Sequence, residues 1–228
     1  MAKFSHYPTR REKDYFAVPN RIYSCGLDAV AIVIYCYLLF NQYGKWFPPL
    51  VDREKLAAEL KLSDAVIDKR IRLLVARNLV CQDEDYLYVV QKRENRPWNF
   101  WLKPKEEEIK NHFLLPKEVF TLDLSAGEIA VYGYLLCCEN RVTYQCYPGY
   151  QTIGDAVGMS RNTVMKYVKA LVDKRLIYTE PTTVWGKDGL KRNGTLLYTI
   201  RPIYEAIEYH TEMQMEQMRM HSAAKPPA

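Results

Sequence analysis

Apolar and polar positions alternate along this chain in a rhythm that occurs twice. Residues 15–40, "YFAVPNRIYSCGLDAVAIVIYCYLLF", align at an offset of 97 with residues 112–137, "HFLLPKEVFTLDLSAGEIAVYGYLLC", with nine identities in 26 positions. Residues 56–81 align at the same offset with residues 153–178, giving five more identities, including Ser63 on Ser160 and Leu79 on Leu176. Several mismatches there exchange one apolar residue for another, as Leu56 on Ile153 and Ile67 on Val164 do. Fourteen identities in 52 positions, against about 6% expected from composition, are the mark of a duplicated unit. The pattern predicts copies over residues 15–90 and 112–200, with an N-terminal arm (1–14), a linker (91–111) and a C-terminal helix and tail (201–228).

The second copy spells out its elements more clearly. Ser125 followed by Glu128 ahead of "IAVYGYLL" has the form of a capping box, which predicts a helix from about Ala126 to Cys138. "YPGYQTIGDAVG" predicts a turn, then a short helix over residues 151–157 with Gly158 as its stop. Ser160 is the expected N-cap of a third helix running from Arg161 to about Lys174, whose Val164, Val168 and Leu171 recur at the spacing of one buried face. Beyond it, "RLIYTE" and "TLLYTI" read as strands flanking "PTTVWGKDGLKRNG", whose glycines and polar residues suit a long hairpin loop. In the first copy the apolar run over residues 29–40 is too short to span a bilayer and reads as a core helix. The tail can be helical over residues 203–220; its mixed Met and Glu pattern has no clean stripe, and its methionines suggest an adaptable contact surface for a second subunit.

Helix, helix, tight turn, helix, hairpin is the order of a winged helix-turn-helix. The stretch "YPGYQTIGDAVGMSRNTVMKYVKALVDKRLI" resembles the winged helix domains of bacterial DNA-binding proteins, among them GntR-like regulators and the replication initiators of plasmids and phages. The resemblance covers residues 112–200 directly and residues 15–90 through the repeat. It implies a mainly α fold with small β-hairpins (α+β), arranged as two tandem winged helix-turn-helix domains. It also implies a sequence-specific double-stranded DNA-binding protein, either a replication initiator of a mobile element or a transcriptional regulator. The alternative is a protein-interaction module that uses winged helices to contact a second copy or a replisome protein.

In the DNA reading the third helix enters the major groove and the hairpin lies beside a phosphate backbone. Arg161 then pairs with guanine, Asn162 with adenine, and Lys166 with a guanine edge or a phosphate; Lys169 meets phosphate, and Thr163 approaches a thymine methyl or a backbone oxygen. Ser160 joins them at the helix start, and Lys187, Lys191 and Arg192 come from the hairpin loop. Trp185 is expected to pack at the base of that loop, a DNA wedge being the alternative.

Charge sharpens the contrast between the copies. The chain carries 32 basic and 27 acidic residues, a net charge of +5, and residues 155–201 alone hold nine basic against four acidic. Residues 58–90 hold five basic and six acidic, and Asp64 and Asp68 stand where the second copy has Arg161 and Met165. Carboxylates repel phosphate, so the first copy is expected to act as a scaffold or protein contact. Lys69, Arg70 and Arg72 remain candidate backbone contacts there, and an acidic residue accepting from cytosine remains open.

Other chemistries find little support. The six cysteines form no CxxC pair, the four histidines lack metal-ligand spacing, and no glycine-rich phosphate loop, GxSxG or HExxH sequence is present. No catalysis, metal or cofactor is expected. The N-terminus has no apolar stretch of a secretory signal, so the expected location is the cytoplasm, with no membrane partner. Trp98, Phe100 and Trp101 are expected to pin the linker or fill a seam, with stacking on unpaired bases as the alternative. Arg10, Arg11 and Lys13 are either a minor-groove arm or a disordered terminus.

Overall fold

A computed structural model of the chain describes residues 14–42, 53–83, 86–89, 111–185 and 188–223. The architecture is mixed α and β. The first half runs strand β1 (Tyr15–Pro19), a 3-10 turn (Asn20–Ser24), helices α1 (Ala29–Gln42), α2 (Arg53–Leu60) and α3 (Asp64–Ala76), then the hairpin β2 (Val80–Asp83) and β3 (Tyr86–Val89). The second half runs β4 (His112–Pro116), a 3-10 turn (Lys117–Phe120), α4 (Ala126–Cys138), the short β5 (Gln145–Cys146), α5 (Tyr150–Val157), α6 (Arg161–Asp173), and the hairpin β6 (Ile177–Trp185) and β7 (Lys191–Ile200). Helix α7 (Ile203–Ala223) is the last described element, three residues longer than its pattern suggested. The expected N-terminal arm with Arg10, Arg11 and Lys13, the linker aromatics Trp98, Phe100 and Trp101, and the final "AAKPPA" from residue 224 onward lie outside the described residues.

Local chemistry at positions 97 apart repeats. Asp28 Oδ1 accepts from the Ala31 N–H at 2.8 Å at the start of α1, and Ser125 Oγ accepts from the Glu128 N–H at 3.3 Å at the start of α4. Lys61 and Gly158, which end the second helix of each half, both have left-handed backbone (φ 53° and 66°). So do Asn78 and Arg175, which end the third (φ 54° and 59°). A left-handed residue at these places lets the chain turn while the last helical carbonyls keep donors: Met159 N–H bonds Gly154 O at 2.9 Å, and Leu176 N–H bonds Leu171 O at 2.9 Å.

The strands that open the two halves pair with each other, an association that neither strand's own sequence announced. β1 and β4 are antiparallel, with Tyr15 opposite Pro116, Ala17 opposite Leu114 and Pro19 opposite His112. Replacing each residue by its counterpart 97 positions away returns the same set of pairs, so this ladder carries a local two-fold relation. The aromatic packing obeys the same exchange. Tyr23 packs on Phe113 and Tyr134 (ring centroids 5.7 and 5.0 Å apart), and its counterpart Phe120 packs on Phe16 and Tyr37 (6.3 and 5.3 Å). Each half thus places the aromatic of its 3-10 turn in the other half. Tyr23 also donates its hydroxyl to Ala130 O at 3.2 Å, and Lys61 forms an ion pair with Asp123 across the same junction.

Helices α1 and α4 lie against each other. Phe16, Tyr35, Phe113 and Tyr132 are all fully buried in one continuous apolar core that takes in both halves. Both central helices are apolar nearly all round because each must face its own half and its counterpart at once.

The hairpin of the second half corrects the sequence reading. Its strands run on to Trp185 and resume at Lys191, so most of the expected loop is paired: Val184 opposes Arg192, and Trp185 opposes Lys191. A bulge between Pro181 and Thr183 bends the ladder. Gly194 sits beside it, where a Cβ would run into the Thr182 side chain.

Shared packing makes the halves one folding unit. Phe120→Ala, although Phe120 lies in the second half, is expected to destabilise the first half equally. Denaturant unfolding followed by separate probes in each half should give one shared transition, weakened by about 3 kcal/mol.

Candidate nucleic-acid interface

Helix α6 is held at both ends and along one face. Ser160 has extended backbone and caps the helix through its hydroxyl, which accepts from the Thr163 N–H at 3.3 Å. Val164, Val168 and Leu171 are buried, as their spacing predicts, and fix which side of the helix faces outward. At the other end Lys174 Nζ reaches Glu128 Oε1 at 2.8 Å and Asp123 O at 3.0 Å. The Glu128 side chain accepts the Ser125 N–H at 2.6 Å as well, so one buried carboxylate starts α4 and anchors the end of α6.

The turn between α5 and α6 is pinned from outside the helix pair. Gly158 lies against the segment preceding α1, where a Cβ would be 3.1 Å from Asp28 Cα and 3.2 Å from Leu27 O. Positive φ and close backbone approach together favour glycine here, where the counterpart Lys61 has only the positive φ to accommodate. The same contact fixes the second half's turn on the first half.

Arg161, Asn162, Lys166 and Lys169 are all exposed. Asn162, Lys166 and Lys169 follow one another four and three residues apart on the side of α6 opposite the core. Ser160 and Thr163 are placed differently: their hydroxyls lie 2.8 Å apart and bond each other, so both serve the helix start. Burial raises the pKa of Tyr150 at the start of α5, and the positive charge of Arg161 partly offsets that rise.

On the hairpin Lys191 is exposed, while Arg192 is exposed but ion-paired with Asp188, four residues before it. Lys187 lies outside the described residues.

Met165 was missed by the sequence reading. It is 43% exposed beside Asn162 and Lys169 on α6, an apolar group on a face of polar ones. Its signal was visible: helical spacing puts it off the Val164–Val168–Leu171 stripe. Trp185 is a correction. Expected to pack, it is 74% exposed, because the strands carry it beyond the core residues Ile177 and Tyr198 at the base of the hairpin.

The corresponding helix of the first half, α3, buries Ile67, Ile71 and Leu74 in the same way but presents different chemistry. Asp64 is exposed and Asp68 half-buried at its start. Arg70, a candidate phosphate contact from sequence, is instead engaged by Asp28, with Nε at 3.1 Å and Nη2 at 2.9 Å from Oδ2. Lys69 and Arg72 are exposed. A cleft of about 970 Å³ lies elsewhere, between α2, the end of α6 and α7. Its Lys61 and Asp123 pair with each other, and Lys174 with Glu128. Among the described residues no group of three or more His, Cys, Asp or Glu is placed to hold a metal ion, and no helix is long and apolar enough to cross a membrane.

Residues 122–177 match a family described as a helix-turn-helix domain. The matched segment begins just before α4 and ends as β6 begins, so it contains α5, the turn at Gly158 and α6. No curated protein and no solved structure matches the chain. The chain thus carries a helix-turn-helix domain over residues 122–177, and the exposed face of α6 lies within it.

Burial alone would raise the pKa of Glu128, but hydrogen bonds from Lys174 and Ser125 and the charge of Lys174 outweigh it and hold the carboxyl below its ordinary 4.5. A depressed carboxyl stabilises the fold above its unfolded-state pKa, and that stability is lost as pH falls through the folded value. Glu128→Gln is therefore expected to cost about 2 kcal/mol near neutral pH. The gap to wild type should close on acidification below 4.5, as read by thermal unfolding at a series of pH values.

Proposed function

We propose that the protein is a sequence-specific reader of double-stranded DNA, with α6 in the major groove. The observation that carries this reading is the exposed row of Asn162, Lys166 and Lys169, led by Arg161, on a helix whose opposite face and both ends are fixed by the core, Ser160 and Lys174. Rigid presentation matters because base-edge hydrogen bonds discriminate only when donors are held in register. Arg161 and Asn162 read bases, Lys166 contacts a guanine edge or a phosphate, and Lys169 neutralises phosphate.

We further propose that the two halves are tandem copies of one winged helix-turn-helix unit. The repeated helix ends at Lys61 and Gly158 and at Asn78 and Arg175 support this. The first copy, with Asp64 and Asp68 at the start of its third helix and Arg70 committed to Asp28, acts as a scaffold or protein contact. A non-catalytic, cytoplasmic role in starting replication of a mobile element or in transcriptional control fits this organisation.

A protein-contact reading is favoured for one element by a specific feature. Met213, Met215, Met218 and Met220 are all exposed on α7, and such flexible apolar side chains suit an adaptable interface with a second subunit or a replisome protein.

Selection of bound duplexes from a random pool, followed by salt titration on the best sequence, tests the DNA reading. A recovered motif whose binding falls steeply with salt is the expected result. Arg161→Ala should relax preference at one base position by about 1–3 kcal/mol, and Lys169→Ala should weaken all sequences alike with a shallower salt slope. Equal losses on every sequence for both variants would refute the division of labour, and no enrichment at all would refute duplex reading.

A further inference from the structure

The end of the β6–β7 hairpin presents chemistry that neither the core nor phosphate binding requires. Val184 is 51% exposed, Trp185 74% and Leu190 63%, three large apolar residues around one tip. Directly opposed residues of an antiparallel pair share a face, and alternate residues share it too. Thr183 opposes Asn193, and Trp185 opposes Lys191, so these four side chains belong to one side of the hairpin. All four are exposed. Val184 and Arg192 occupy the other side, where Arg192 is engaged by Asp188.

The strands hold this face away from the body. Ile177 and Ile200 at the base are buried, and eight further residues at about 3.3 Å each place Trp185 some 25 Å along the strand. The bulge at Pro181–Thr183 and the close approach at Gly194 set the angle of the outer part. The Asp188 carboxylate accepts the Leu190 N–H at 3.2 Å, and Gly189 has φ 73°, so the turn beside the face is defined by its own hydrogen bond.

We infer that this face enters the minor groove beside the site read by α6, with Trp185 wedged between neighbouring base pairs so that the duplex is locally unstacked and bent. The inference rests on the duplex-reading proposal above. A minor groove about 6 Å wide is too narrow for a two-stranded ribbon, so only side chains at the edge of the hairpin enter it. Trp185 supplies the flat apolar body that displaces stacking. Lys191 stands across from it to meet a phosphate. Asn193 and Thr183 bring donors to the adenine N3 and thymine O2 acceptors on the groove floor. Unstacking is least costly at pyrimidine–purine steps, so Trp185 adds a preference for a TA or CA step next to the bases read by α6, without any hydrogen bond to that step.

The duplex best retained from the random pool, carrying 2-aminopurine at successive positions flanking the selected motif, tests this directly. Saturation with the wild-type protein should raise the fluorescence at one flanking step. Trp185→Ala should abolish the rise and weaken binding about tenfold, and Trp185→Phe should keep part of it. Trp185 is largely exposed, so both variants are expected to fold, which circular dichroism checks. Arg161→Ala, saturated at higher concentration, should still produce the rise. A rise that persists in Trp185→Ala, or wild-type binding with no rise at any position, overturns the wedge and leaves duplex reading standing. Failure to retain any duplex overturns both.

Discussion

The pairing of β1 with β4, and the exchange of aromatic side chains that accompanies it, is the constraint on which the rest of the molecule depends. Tyr23 completes the core of the second half and Phe120 that of the first. Units as short as residues 15–90 and 112–200 bury a smaller fraction of their surface than a larger domain does. Two such units that share a strand ladder and pack α1 on α4 bury what neither covers by itself. The apolar character of both central helices follows from this double duty. So does the reach of the N-terminal segment, whose Leu27 and Asp28 support the turn at Gly158.

That arrangement separates what the two halves hold in common from what distinguishes them. Residues on the shared core answer to packing on both sides and retain their type, as Phe16 and Phe113 or Tyr35 and Tyr132 do. The outward faces of α3 and α6 carry no such restraint. On α6 the exposed residues include the cationic Arg161, Lys166 and Lys169 and the amide of Asn162; on α3 acidic groups take the first turn, and Arg70 is drawn inward by Asp28. One scaffold therefore displays two chemistries. The buried Glu128 links the two requirements in the second half, because the carboxylate that starts the core helix α4 also grips the end of α6 through Lys174.

The hairpin of the second half extends the same logic outward. Its base is core, with Tyr198 and Ile200 buried, and its outer third is free of packing. Exposed tryptophan on a strand would invite edge pairing if it lay on a long flat ribbon. Here a bulge bends the ladder and Lys191 and Arg192 stand opposite Trp185 and Val184, which breaks up a flat apolar edge while Trp185 stays exposed.

Much of this was legible in the residues. The helices over Ala29–Gln42, Ala126–Cys138 and Arg161–Asp173, the Ser125–Glu128 capping box, the stop at Gly158 and the buried stripe of Val164, Val168 and Leu171 are local matters of spacing, capping and backbone preference, and such signals lie within a few residues of each other. The extent of β6 and β7 was harder to read, because Gly, Thr, Asn and Lys describe a loop in isolation and become strand only when a cross-strand partner satisfies their backbone. The exposure of Trp185, the capture of Arg70 by Asp28 and the pairing of β1 with β4 were not in the sequence at all. Each depends on which distant residues arrive beside it, and that is decided when the two halves close on one core. The sequence by itself determined two helical units with different outward charge; the tertiary structure decided that they are one body, and which side chains that body leaves free to act.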